Sequence, residues 1–166
     1  MNQILVLNGP NLNLLGTREP EIYGRTSLAD IDDLCAATAA EVGLEVRCLQ
    51  SNHEGELVDA IHAARDTTVG AVVNAAAYTH TSLAIHDALK SYHHRIVEVH
   101  LSNPHARETF RHHSYVSLVA DVIVAGAGAA GYAHAIRILA EALDEPRAET
   151  QPTAITAPSE SARTGE

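Results

Sequence analysis

Five short apolar runs recur along the chain, at positions 4–7 (ILVL), 44–49 (LEVRCL), 69–74 (VGAVVN), 95–101 (RIVEVHL) and 121–125 (DVIVA). Runs of this length, rich in β-branched residues, read as strands. The connections between them are too long for tight hairpins, and most carry helical periodicity. Parallel strands need such crossovers, and a parallel sheet buries both faces, so helices must cover each side.

The helical stretches carry their own stop and start signals. In TSLADIDDLCAATAAEVG, Ser27 caps with Asp30, Leu28, Ile31, Leu34, Cys35 and Thr38 share a face, and Gly43 ends the helix. GELVDAIHAARD repeats the pattern through Leu57, Val58, Ile61 and Ala64, HTSLAIHDALKSY does so less cleanly, and YAHAIRILAEAL uses Tyr132, Ile136, Leu139 and Leu143. The order β-α-β-α-β-α-β-x-β-α with right-handed crossovers predicts an α/β, flavodoxin-like three-layer sandwich. Its five-stranded parallel sheet runs in the order 2-1-3-4-5.

Composition sets the outer limits. With 166 residues, 46 % of them hydrophobic, the chain supports one domain, expected over residues 1–144. Residues 145–166 (EPRAETQPTAITAPSESARTGE) have no amphipathic period and read as a disordered tail. A formal net charge of −10 without any Lys- or Arg-rich stretch argues against nucleic acid and anionic membranes as partners. No run is long enough to span a bilayer, and the chain opens on strand-like QILVLN, which gives a cytoplasmic expectation. Cys35 and Cys48 fall on apolar positions and read as buried hydrophobes, not a redox pair.

In an open parallel sheet, ligands bind beyond the carboxyl ends of the strands, and here those positions are unusually polar. The first strand is followed by NGPNLNLLGTREPEIYG (8–24), with Asn11, Arg18 and Tyr23; the second by SNHEGE; the third by NAAAYTHTS, with Asn74 and His80. The fourth leads into Glu98, His100, Ser102, Asn103, Arg107 and Arg111. Glu98 and His100 alternate around Val99, so both project to one face of an otherwise apolar strand. The seventeen-residue stretch at 8–24 is of a length that usually carries function. It is expected to form a lid hinged at Gly16 and Gly24, stiffened by Pro20, and ordered only when ligand binds.

Two louder motifs are set aside. GAGAAG (126–131) matches G-x-G-x-x-G, but no strand with an acidic residue follows, so tight strand-to-helix packing explains it better than dinucleotide binding. Eleven histidines suggest a metal, but their spacing matches no zinc motif, and no metal site is expected. G-x-S-x-G and G-x-x-x-x-G-K-[ST] are both absent, which leaves acid–base chemistry on a small polar molecule.

Taken together, NGPNLNLLGTREPEIYG, NAAAYTHTS, VEVHLSNPHARETFRHHSY and GAGAAGY resemble type II 3-dehydroquinate dehydratase, and the resemblance runs from about residue 3 to residue 143. It implies a shikimate-pathway lyase serving aromatic amino acid and chorismate biosynthesis. Such an enzyme dehydrates 3-dehydroquinate to 3-dehydroshikimate by anti elimination through an enolate, with no cofactor and no metal. By position, Tyr23 is the base and Arg18 favours its phenolate. His100 is the acid, Glu98 orients it, and Asn74 holds the enolate oxygen through a water. His80, Leu101, Ser102 and Arg111 bind the substrate, with Asn11 and Arg107 in support. Asp87 is implied to reach a neighbouring subunit's site, which makes the chain a homo-oligomer of trimers assembling into a dodecamer.

The lysine count gives a separate check. An imine route to the same product needs an active-site lysine, and the chain's single one, Lys90, falls at the far end of a crossover helix. Two rival readings are a flavodoxin-like small-molecule or phosphate binding module and a catalytically dead scaffold. The first lacks the acidic cluster of a phospho-receiver, since Asn8 and Asn74 stand at those strand ends, and it lacks aromatic platforms for a flavin. The second is disfavoured while Arg18, Tyr23, Asn74, His80, Glu98, His100 and Arg111 are all present.

Overall fold

Strand β1 (Gln3–Asn8) pairs in parallel with β2 (Glu45–Gln50) on one side and β3 (Gly70–Asn74) on the other, and β4 (Arg95–His100) and β5 (Val122–Ala125) extend the sheet beyond β3. The resulting order is β2-β1-β3-β4-β5, the order expected from the sequence. The structure, a computed structural model, describes residues 2–16 and 26–143; the tail expected at 145–166 lies outside the described residues.

Side-chain alternation along the strands builds two cores. Leu5, Leu7, Ala71, Val73 and Ile96 face α2 (Glu54–Ala64) and α3 (Leu83–Lys90), packing on Leu57, Ile61, Ile85 and Leu89. Ile4, Val6, Val72, Val97 and Val99 face α1 (Leu28–Glu41) and α4 (Ala130–Glu141), packing on Ile31, Cys35, Tyr132, Ile136 and Leu139. Each such side chain contributes roughly 1.5 to 3 kcal/mol on full burial. The expected helix signals operate, Ser27 and Asp30 forming a reciprocal capping box and Gly43 taking φ +74° after α1; the structure adds Ser82 as the cap of α3. Leu143 departs from expectation, lying past the end of α4 and exposed. Among the described residues no helix is long and apolar enough to cross a membrane.

Both cysteines are free, with Cys35 fully buried. The adjacent Cys35 thiol and burial push the Cys48 thiol far above its ordinary range, so it stays protonated and unreactive at neutral pH. The glycines of GAGAAG have a different basis from the one expected. Gly126 and Gly128 take φ +82° and +58°, whereas a Cβ at Gly131 would make only ordinary contact, 3.5 Å from Val99 and Val124. Turn geometry requires Gly126 and Gly128, and close helix-to-strand approach does not require Gly131.

The carboxyl ends of β1 and β3 touch through backbone. The Gly9 amide donates to the Asn74 carbonyl at 2.8 Å, and a Cβ on Gly9 would lie 2.2 Å from the Ala75 carbonyl oxygen. The chain then turns through Ala76 at φ +51°, a left-handed conformation that costs an L-residue about 1 to 2 kcal/mol. Part of that cost is offset by the smaller unfolded-state entropy of alanine. Ala76→Gly is therefore expected to raise unfolding stability by roughly 0.5 to 1 kcal/mol, seen as a higher urea midpoint at unchanged slope.

Candidate active site

A pocket of about 250 Å³ opens at the carboxyl ends of β1, β3 and β4. Of the residues singled out from sequence, Asn11, Asn74, His80, His100, Leu101, Ser102, Arg107 and Arg111 line it. Pro10, Leu12, Leu14, Leu15, Ala76, Ala77, Pro104 and Glu108 complete the wall. The strand-end rule thus brings together side chains from three separate loops, as far apart in sequence as Asn11 and Arg111.

Glu98 lies just beneath the pocket and is 1 % exposed. As the alternation of β4 requires, it shares a face with His100, whose Nε2 donates to Glu98 Oε1 at 2.8 Å. The other end of the imidazole, Nδ1, is left for the pocket. Three hydroxyls surround the carboxylate: Thr79 Oγ1 at 2.8 Å and Ser114 Oγ at 2.7 Å donate to Oε1, and Ser117 Oγ donates to Oε2. Ser114 Oγ also accepts from the Ser117 amide at 3.0 Å. A carboxylate ringed by donors is an acceptor only, which is the ionised form.

Burial opposes that charge, but the hydrogen bond and charge of His100, with the Ser117 and Ser114 hydroxyls, outweigh it and hold the Glu98 carboxyl below its ordinary 4.5. The consequence for stability has a definite sign. The unfolded chain takes up the proton first as pH falls, so Glu98 contributes fully above pH 4.5 and its contribution is lost below that value. Glu98→Gln is expected to give a shallower acid limb in stability measured against pH below about 4.5, checked by urea unfolding.

His80 is held the opposite way. Burial lowers its pKa, and the Arg111 and His100 charges act in the same direction, so it is neutral at pH 7. Its Nδ1 lies 2.7 Å from the His113 carbonyl, an acceptor, which puts the proton on Nδ1 and leaves Nε2 as a lone-pair acceptor. Arg111 is half-buried; its Nε donates to Glu108 at 2.9 Å, its guanidinium sits 5.1 Å from the Phe110 ring centre, and Arg107 Nε approaches the same Glu108 at 3.5 Å. The pocket therefore presents two guanidinium groups, one neutral imidazole acceptor and one carboxylate-backed imidazole.

Asn74 is buried, its Nδ2 donating to Tyr132 Oη at 2.8 Å and its Oδ1 accepting from the Ala76 amide at 3.3 Å. Asn11 adopts φ +67°, and its amide donates to Asn52 Oδ1 at 2.8 Å, while Tyr78 Oη donates to the Asn52 carbonyl at 2.9 Å. The loop after β2 thus buttresses the first loop and lines no part of the pocket itself.

Not every expected residue is assembled here. Arg18 and Tyr23, with the proposed lid, lie in residues 17–25, outside the described residues. Asp87 is exposed on α3 and does not line this chain's own pocket, and Lys90, at the end of α3, lies outside it as well. Thr79, Ser114, Ser117, Tyr132 and Asn8 were not singled out as site residues; their roles depend on contacts across 16 to 124 positions that no periodicity signals. Among the described residues no group of three or more His, Cys, Asp or Glu is placed to hold a metal ion.

Comparison with known proteins gives a consistent picture. The family described as dehydroquinase class II matches residues 2–140. The 3-dehydroquinate dehydratase of Corynebacterium glutamicum strain R is 59 % identical over 140 residues, covering 84 % of this chain and 97 % of that protein. That of Cereibacter sphaeroides strain ATCC 17023 is 60 % identical over 134 residues, covering 81 % and 91 %. The crystal structure of a type II dehydroquinase from Propionibacterium acnes superposes with a TM-score of 0.82 at 45 % identity, covering 85 % of this chain and 97 % of that one.

Proposed function

Since the chain belongs to the dehydroquinase class II family, shikimate-pathway enzymes that dehydrate 3-dehydroquinate, we propose that it forms 3-dehydroshikimate by anti elimination through an enolate. The observation that carries the mechanism is the buried Glu98 carboxylate behind His100, at the floor of a pocket whose other side holds Asn74.

In this reading Tyr23, as phenolate beside Arg18, takes the proton alpha to the ketone, and the C–H electron pair moves into the enolate. Asn74 holds the enolate oxygen through a water, where charge develops. The enolate then collapses as the C–O bond breaks, and His100 delivers a proton from Nδ1 so that the hydroxyl leaves as water. Glu98 supplies the counter-charge and the ring orientation that make this transfer favourable. His80, through its Nε2 lone pair, accepts from a substrate hydroxyl, and Leu101, Ser102 and Arg111 bind the carboxylate and remaining hydroxyls. Asn11 and Arg107 position the first loop and the substrate. Asp87, exposed on its own chain, completes a neighbouring subunit's site, within trimers that assemble into a dodecamer in the cytoplasm. The reaction so written uses neither metal nor organic cofactor.

The test is direct. Chelator-treated protein mixed with 3-dehydroquinate is expected to develop the ultraviolet band of the conjugated enone product. Absence of the band would overturn the reading, and a band lost only on treatment with borohydride plus substrate would replace the enolate with an imine.

A further inference from the structure

Tyr132 stands in the first turn of α4, wholly enclosed on the face that packs against the sheet. Its ring belongs to the apolar core, but a buried phenol needs partners for its oxygen. It has two, both side-chain amides at the ends of neighbouring strands: Oη donates to Asn8 Oδ1 at 2.6 Å and accepts from Asn74 Nδ2 at 2.8 Å. Asn8 and Asn74 are register partners across β1 and β3, so the hydroxyl ties the last residues of two strands together under the pocket.

The direction of this chain is determined. The Ala76 amide, 3.3 Å from Asn74 Oδ1, identifies the oxygen end of that side chain, which leaves its nitrogen facing Tyr132. A nitrogen end only donates, so the single phenolic hydrogen goes to Asn8. Asn8 then keeps a buried Nδ2 with no partner among the described residues. Phenylalanine at 132 with an apolar residue at 8 would fill the same space and remove the orphan Asn8 donor, but would take away the acceptor that Asn74 Nδ2 now has, so what the Tyr132–Asn8 pair secures is the Asn74 side chain.

We propose that Tyr132 is a positioning residue for the dehydration: its hydroxyl, aimed by Asn8, holds the Asn74 amide one way round, so that the group facing the enolate oxygen does not reorient as charge develops. The inference rests on the role given to Asn74 in the proposed function.

The experiment is a double-mutant cycle in full-length protein, with turnover read from the enone band. Tyr132→Phe is expected to lower kcat roughly ten-fold with KM within about two-fold, because the lost order matters only in the transition state. In an Asn74→Ala background the same change is expected to have no further effect on kcat. An equal fall in both backgrounds would mean that Tyr132 acts through general packing, and would overturn the proposal. If Asn74→Ala alone leaves kcat unchanged, the role of Asn74 fails and this inference falls with it. Should Tyr132→Phe not fold, Asn8→Leu serves in its place. It frees the phenolic hydrogen to turn toward Asn74, with the same loss expected in the native background and none beyond Asn74→Ala.

Discussion

His100→Ala is expected to lower kcat by about three orders of magnitude while KM changes less than about three-fold. The asymmetry comes from when the group acts. His100 Nε2 is spent on Glu98 Oε1 at 2.8 Å, so in the proposed mechanism the ring's contribution is a proton from Nδ1, needed only as the C–O bond breaks. In the same proposal ground-state recognition is carried elsewhere, by the Arg111 guanidinium and the neutral His80 acceptor, both of which line the pocket. Glu98→Gln is expected to share the pattern at smaller size, roughly ten- to hundred-fold in kcat, because the imidazole keeps its place but loses the carboxylate that faces its Nε2. Steady-state rates from enone absorbance decide both. A His100→Ala enzyme that kept near-normal kcat with a large rise in KM would make His100 a binding group.

The fold could be read from the sequence because its signals are local and redundant. Ile4 and Val6 against Leu5 and Leu7 already encode a strand buried on both sides, and Ser27 with Asp30 marks a helix start that two reciprocal hydrogen bonds satisfy. The parallel arrangement then places Asn74, His80 and His100 on one rim without any knowledge of side-chain contacts.

What the sequence withheld is the layer beneath that rim. Ser114 and Ser117 lie between β4 and β5, in a stretch broken into short 3-10 turns, where neither a period of two nor one of 3.6 assigns a direction. Their hydroxyls meet Glu98 only after the chain has folded back over α3. Tyr132 shows the same limit from the other side. Its place on the apolar face of a helix was readable, but its hydroxyl finds Asn8 across 124 positions, a meeting set by tertiary packing and not by local pattern. The strained turn at Ala76 was equally hidden, since alanine gives no sign of a positive φ.

Tyr23→Phe is expected to produce the largest loss of all, about four orders of magnitude in kcat, with substrate affinity kept within a few-fold. A free phenol titrates near 10, so a base working near neutrality needs two or three units of lowering, on the order of 3 to 4 kcal/mol, for which a nearby guanidinium is a suitable source. Among the pocket-lining side chains Glu108 is engaged by Arg107 and Arg111, and His100 Nε2 is engaged by the Glu98 carboxylate, which leaves His80 as the alternative to Tyr23. Hydrogen exchange separates the two roles. With 3-dehydroquinate in heavy water, Tyr23→Phe is expected to abolish exchange of the proton alpha to the ketone, whereas His100→Ala still forms the enolate and continues to exchange it. If Tyr23→Phe went on exchanging that proton, the base would have to be reassigned, and His80, neutral with a lone pair on Nε2, would be the next group to replace.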